Sequence, residues 1–442
     1  MSATAGAEAT SSALGADVLP YDEAYAPGGA PRSQYAGLLD RDWEEAAARV
    51  RADLAERGVV IAADPVPRVI TAAEWAPVAA GLEQRVRALA AFAADAHGPR
   101  RAVAAGVVPP DLATTSKYFE PDLVEPPAAL GMAGPDLVRL PDGRFVVLED
   151  NVRTPSLKAF AALAAQVVDR HVRAPAPHRD FAAALTAALR ALVADRAAIV
   201  LSEGGSRAEG AWLARTLRLP HAGPADLAHR GDHLILRDGG RRVGLVLRHT
   251  PEERLRTDAG GPTWLADALL GPLRAGTLTV VNPFGAGVAD DKRTYAYADA
   301  LVRFFCQETP LLPSVPTLDL ARPDALTEAL GRLDELVFKP RSGSGGRGIV
   351  IGPHAARADL RELAARVRAE PAAWIAQERL AISTHPTVGA NGTLEPRHVD
   401  LRAFVIGGRA LPGGLTRYAG APGELVVNGS QGGGGKATRV LV

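Results

Sequence analysis

The stretch "ELVFKPRSGSGGRGIVIGP" (residues 335–353) sets a glycine-rich, basic segment between two β-like runs. A tight hairpin needs only two turn residues, so this loop is longer than chain reversal requires. Glycines let the backbone approach a ligand closely and adopt positive φ, which turns N–H groups toward phosphate oxygens. The lysine, Lys339, precedes the glycines, so this is not the Walker A pattern. A strand follows rather than a helix, which also excludes a dinucleotide-binding turn. The loop alone is compatible with a phosphate cradle or a surface hairpin.

Neighbouring stretches add chemistry. Lys339 ends "LVFK" and is placed to reach the α- and β-phosphates of a nucleotide. "WIAQERL" (374–380) sets Gln377 and Glu378 at a strand end, where an amide and flanking backbone suit an adenine. "GPDLVRLPDGRFVVLEDNVRTPS" (134–156) reads as a hairpin. Residues i and i+2 of a strand share a face, so Glu149 and Asn151 point together while Asp150 points away. With Asp136 nearby they form an all-oxygen set, which suits Mg²⁺. His and Cys are absent there, which disfavours zinc. An acidic hairpin end capped by Asn is the competing reading.

The 442 residues carry 50 basic and 50 acidic side chains and are 47% hydrophobic. That length suggests two or three domains with sizeable cores. Zero net charge leaves no basic footprint for nucleic acid. One cysteine, Cys306, excludes an intramolecular disulfide; it reads as a core residue, consistent with a reducing, cytoplasmic setting. Residues 1–19 lack a basic n-region and a long apolar core, so they read as a disordered tail rather than a signal peptide. No apolar run is long enough for a transmembrane helix. Oligomeric state is not readable.

Coarse periodicity divides the chain at 130, 195 and 320. Residues 20–130 read as mainly helical, with helices over 41–58 and 71–98, the second opened by a Thr71–Glu74 capping box. Residues 131–195 hold the acidic hairpin and two helices. Residues 196–320 alternate strands and helices and end in a helix over "DKRTYAYADALVRFF". Residues 321–442 hold the glycine loop and, at the end, a second glycine run with Lys436, whose apolar "VLV" suggests docking as a strand. The class is α+β or α/β.

Taken in order, "YDEAYAPGGAPRSQY", "VPRVITAAEWAPVAAGLEQRVRAL", "LEDNVRTPS", "GAGVADDKRTYAY", "VFKPRSGSGGRGIVIGP", "AQERLAISTHPTV", "EPRHVDLRAFV" and "LVVNGSQGGGGK" resemble the circularly permuted ATP-grasp type 2 family, related to glutathionylspermidine synthetase. The resemblance covers nearly the whole chain. It implies a circularly permuted ATP-grasp fold with a helical N-terminal region, in which two subdomains hold ATP between them. It further implies Asp136, Glu149 and Asn151 as Mg²⁺ ligands, and Lys292 and Lys339 as phosphate lysines. Ser342, Gly343, Ser344, Gly345, Gly346 and Gly348 become the loop over the phosphates, and Gln377 and Glu378 the adenine hinge. Arg153 and Arg402 become clamps for the transferred phosphate or a substrate carboxylate. The sequence departs from the family at "KATRVLV", where Ala437 and Arg439 replace an acid and an aromatic; this puts specificity at the tail in doubt.

The implied chemistry joins a small-molecule carboxylate to an amine, with an amino acid or small peptide as the default substrate. ATP-dependent chemistry on a thiol or hydroxyl, and a non-catalytic nucleotide-binding scaffold, are the alternatives. His398 in "EPRHVDLR" is the histidine nearest the expected site and a candidate general base.

Overall fold

The computed structural model describes residues 18–59, 61–121, 123, 129–343, 345–427 and 432–442. Most of the expected tail, and Ser344, lie outside the described residues. A large mixed sheet runs in the order Ala63–Ile70, Gly434–Val440, Arg409–Tyr418, Leu394–Ile406, Asp136–Arg139, Phe145–Glu149. Thr384–Val388 and Met132–Ala133 pair beside Leu394–Ile406.

Alternation along Leu394–Ile406 supplies two cores. Leu401, Ala403 and Val405 join the core of the Ala72–Ala96 helix, while Phe404 and Ile406 join the core of the Lys158–His171 and Phe181–Val193 helices. Asp400 and Arg402 therefore share the face of Phe404. The Ala72–Ala96 helix starts with the expected capping box, and Glu74 also reaches Arg139 at 2.5 Å.

A four-stranded parallel sheet, in the order Thr279–Val281, Leu245–His249, Ala198–Ser202, His221–Ala222, forms from the middle of the chain. A four-stranded antiparallel sheet follows, in the order Thr317–Asp319, Trp374–Gln377, Val337–Pro340, Val350–Ile351. Helices Pro323–Gly331 and Arg357–Ala369 share its core. The glycine loop joins Val337–Pro340 to Val350–Ile351, which pair antiparallel with Val337 opposite Ile351. No described helix is long and apolar enough to cross a membrane.

Two elements differ from the sequence expectation. "ADPVPRVI" (63–70) lies in the stretch read as mainly helical, yet it is a fully buried strand. Its two prolines, which cannot donate, fall where the ladder breaks between Asp64 and Arg68 in a strand at the sheet edge, which is why they are tolerated. "DKRTYAYADALVRFF" is not one helix. It breaks into Lys292–Tyr295, Ala298–Leu301 and a wider turn over Val302–Cys306. Around the break, the Tyr295 hydroxyl donates to Val147 and the Tyr297 hydroxyl to Asp319, anchoring the chain to two different strands. Cys306 is half-buried, its thiol near the Gln84 carbonyl at 3.7 Å.

The tail docks as expected. Gly434–Val440 runs parallel to Ala63–Ile70 and antiparallel to Arg409–Tyr418. Ala437 is in the helix-side core, and Arg439 pairs with Asp169 at 2.7 Å and donates to the Val172 carbonyl, so both serve the helix packing. Lys436 is fully buried against Asp64 and also donates to the Pro386 carbonyl at 2.9 Å. Removing one partner of such a pair leaves a buried charge uncompensated. Lys436→Met is therefore expected to lower unfolding free energy by about 3 kcal/mol. A denaturant midpoint that falls at unchanged slope would report it.

Candidate active site

A cleft of about 430 Å³ opens between the large sheet and the antiparallel sheet. That volume suits a small-molecule site. The hairpin gives it Asp136 and Glu149, the following turn gives Asn151 and Arg153, and Leu394–Ile406 gives Asp400 and Arg402. The facing wall holds Lys339, Gln377 and the glycines 343, 345 and 346. Val138, Leu148, Val337, Ile351, Leu380 and Ile382 supply apolar surface for a flat ring.

Asp136 and Glu149 are direct partners across the hairpin. Asp150 points away, as alternation requires, and makes a buried bidentate pair with Arg85 at 2.8 and 2.7 Å. Glu149 takes Lys292 at 2.9 Å and keeps 38% of its side chain exposed. Burial pushes its carboxyl up, but Lys292 and Lys339 outweigh this and hold it below the usual range. Asn151 donates its amide to the Gly134 carbonyl at 3.2 Å, which leaves the amide oxygen for the cleft.

Asp136 is held by Arg402 on both oxygens and by Arg417 at 2.9 Å; Arg417 also grips Asp400. Burial raises Asp136 as well, yet Arg402 and Arg417 outweigh it and keep the group below its ordinary value. At Asp400 burial prevails over Arg417, and the carboxyl is raised. Among the described residues no three His, Cys, Asp or Glu side chains form a ready metal cage. Glu149 and the Asn151 amide oxygen, with Asp136 opposite, are hard oxygen donors, a partial set of the kind that substrate phosphates and water complete around Mg²⁺.

Lys292 begins the Lys292–Tyr295 turn and bridges two cleft residues, bonding Glu149 on one side and the Gly343 carbonyl at 3.0 Å on the other. Arg341 fixes the start of the glycine loop to Asp291 at 2.8 Å and to the Leu112 carbonyl at 3.1 Å. Gly345 and Gly346 adopt φ of +69° and +72°, conformations in which a side chain would be strained. Ser342 and Gly348 do not line the cleft. Lys339 is buried, and burial pulls its amine down to about 8, with Glu149 opposing the fall.

At the hinge, the Gln377 amide donates to Thr317 at 3.0 Å, and Glu378 pairs with Arg332 at 2.9 Å. Both side chains are engaged, so a purine there would meet chiefly backbone. His398 is buried, donates from Nδ1 to the Ile382 carbonyl at 2.8 Å and does not line the cleft.

Arg153 meets Asp290 through Nε at 2.8 Å, and Glu253 and Tyr118 through Nη1. Burial lowers Arg153, but Asp290 and Glu253 raise it further than burial depresses it. Burial lifts Asp290 to about 6 against the pull of Arg153. Sequence reasoning missed Asp400, Arg417, Asp290 and Glu253. Asp400 carried a signal, two residues before Arg402 in a strand; the others lie too far along the chain to be paired by inspection.

The model of the family described as "Circularly permuted ATP-grasp type 2" matches residues 67–419. The chain belongs to this family. A Frankia casuarinae protein named "Putative glutamate--cysteine ligase 2-2" is 38% identical over 95% of this chain and 53% of its own length. A Frankia alni protein with a similar name, "Putative glutamate--cysteine ligase 2-3", matches over the same shares. The chain thus spans about half the length of these relatives. A protein of Synechocystis sp. is 34% identical over 95% of this chain and 97% of its own. A glutathione synthetase-like effector from Globodera pallida, solved in its apo form, superposes with a TM-score of 0.55 at 14% identity, covering 91% of this chain and 99% of its own. That likeness supports the ATP-grasp fold.

Lys339 gives a pH test. A bound polyphosphate raises the pKa of an amine beside it, so binding takes up a proton wherever the free enzyme's Lys339 is neutral. Affinity for ATP should therefore be flat below about 8 and fall above it, by on the order of tenfold per pH unit at most. Titration calorimetry in buffers of different ionisation enthalpy measures that uptake. Lys339→Met is expected to bind weakly and without the slope.

Proposed function

We propose that the protein is an ATP-dependent ligase that joins a carboxylate to an amine through an acyl-phosphate, releasing ADP and phosphate. The observation that carries this reading is the meeting, in one cleft of an ATP-grasp family member, of Glu149, Lys339 and the glycine loop, with Lys292 bonded to both Glu149 and the loop. Adenine fits against the apolar wall, with hinge backbone at 377–380. Lys339 and Lys292 take the phosphates and the loop covers them. Glu149 and Asn151, with Asp136 beside them, would hold Mg²⁺, which would neutralise phosphate charge when bound.

A substrate carboxylate oxygen then attacks the γ-phosphorus and the bond to the β-phosphate oxygen breaks, leaving ADP. Negative charge builds on the phosphoryl oxygens, where Lys339, Arg153 and Arg402 offer fixed donors. The amine next attacks the acyl carbon and expels phosphate. Water would hydrolyse the acyl-phosphate, so a loop that closes over the cleft has a chemical purpose. No protein nucleophile is required. The names of the Frankia relatives support an amino acid or small peptide as substrate.

The test is release of ADP and phosphate from MgATP across amino acids and dipeptides, singly and in pairs, with product masses. A pair that yields the summed mass less water is the expected result; ADP release with a thioester or phospho-product would sink the amide reading. Glu149→Gln should lower turnover by on the order of 10²-fold or more with the melting temperature nearly unchanged. Full activity in a folded Glu149→Gln protein would remove that carboxylate from the site.

A further inference from the structure

We infer that Glu253 and Asp290 are positioning residues that aim Arg153 at the phosphoryl group leaving ATP. This rests on the reading above only in that a phosphoryl group is transferred within the cleft. Asp290 accepts from the Arg153 Nε at 2.8 Å and also from the backbone N–H of Val152 at 2.9 Å and of Arg153 at 3.2 Å. One carboxylate thus fixes both the turn and its side chain.

Glu253 comes from elsewhere, the loop after the Leu245–His249 strand of the parallel sheet. One of its oxygens takes the Arg153 Nη1 and the other the Thr154 hydroxyl. The loop itself is set by Glu252, whose side chain accepts from the N–H of Glu253 at 2.8 Å and of Arg254 at 2.9 Å.

From behind, Arg153 lies against Tyr118, 4.1 Å from the ring centre. Gly287 backs both: a Cβ there would come within 2.6 Å of Tyr118 and 2.8 Å of Arg153. Three partners on Nε and Nη1 fix the plane of the guanidinium. Nη2 takes no partner among the described residues, and the side chain lines the cleft. A small void bounded by Glu149, Asp290, Lys292 and Lys339 sets the clasp directly beside the phosphate lysines.

Two carboxylates cancel much of the long-range attraction of Arg153 for an anion. What remains is a directed N–H donor, whose value grows where charge builds in the transition state. A pair serving stability alone would gain nothing from leaving one nitrogen unclaimed among the described residues on a side chain that lines the cleft.

The experiment compares affinity for MgADP with affinity for MgADP plus aluminium fluoride, a mimic of the transferring phosphoryl group. The proteins are wild type, E253Q, E253D, R153A and R153A/E253Q. MgADP affinity should stay within about twofold, while the extra affinity from aluminium fluoride falls about tenfold or more in E253Q and R153A. E253D should restore part of it. The double variant should be no worse than R153A, because Glu253 acts on the phosphoryl group through Arg153. Additive losses, equal loss of MgADP affinity in E253Q, or an undiminished gain from aluminium fluoride would each overturn the inference. So would a wild type that gains nothing from aluminium fluoride. None of these readouts depends on the acceptor, so failure of the ligase reading would show separately, in the product masses.

Discussion

Four consecutive charges, Asp290 to Arg293, bind together parts of the chain that are otherwise remote. Asp290 holds Arg153, Asp291 holds Arg341 at the root of the glycine loop, Lys292 holds Glu149, and Arg293 holds Asp319 at 2.8 Å. The bend at Asp290 and Asp291 and the helical turn that follows send these four side chains in different directions, so one short segment indexes the hairpin, the loop and the antiparallel sheet against one another. Arg293 and Asp319 are almost wholly buried. Buried pairs of this kind add little net stability over an apolar pair, but losing either partner is costly, so they favour one arrangement over its neighbours. Without that indexing, the walls of the cleft would have no fixed separation.

The floor of the cleft solves a related problem. Asp400, Arg417, Asp136 and Arg402 alternate in charge around one patch of sheet. Each is buried or nearly so, and each carboxylate has at least one guanidinium. Such a patch presents donors already aligned, with no solvent to reorganise when a ligand's charge changes. Its geometry follows from strand pairing, since Arg402 sits opposite Asp136 across one ladder and Asp400 opposite Arg417 across the next.

Much of this was legible in the sequence because it is local. The glycine loop, Lys339, the capping box at Thr71 and the shared face of Glu149 and Asn151 depend on residues a few positions apart. The ordered series of stretches, rather than any one of them, carried the family resemblance. What was not legible depends on distant pairing. Glu253 meets Arg153 across 100 positions, and nothing near either one announces the other. The strand at 63–70 was hidden differently: Pro65 and Pro67 argue locally against a strand, and an edge position together with a break in the ladder between Asp64 and Arg68 makes them admissible. The broken helix after Lys292 is a tertiary override, imposed where tyrosine hydroxyls find partners on other strands.

The pairing of 63–70 with 434–440 also bears on how the molecule is made. The first strand leaves the ribosome about 360 residues before its partner exists. At ~5–20 residues per second, it waits tens of seconds without its sheet partner. A strand with two prolines is a poor template for adventitious pairing during that interval, because each proline deletes a donor and resists ladder growth. The feature that hid this strand from the sequence reading is thus also a safeguard for the nascent chain, keeping its edge unattractive until the native partner is synthesised.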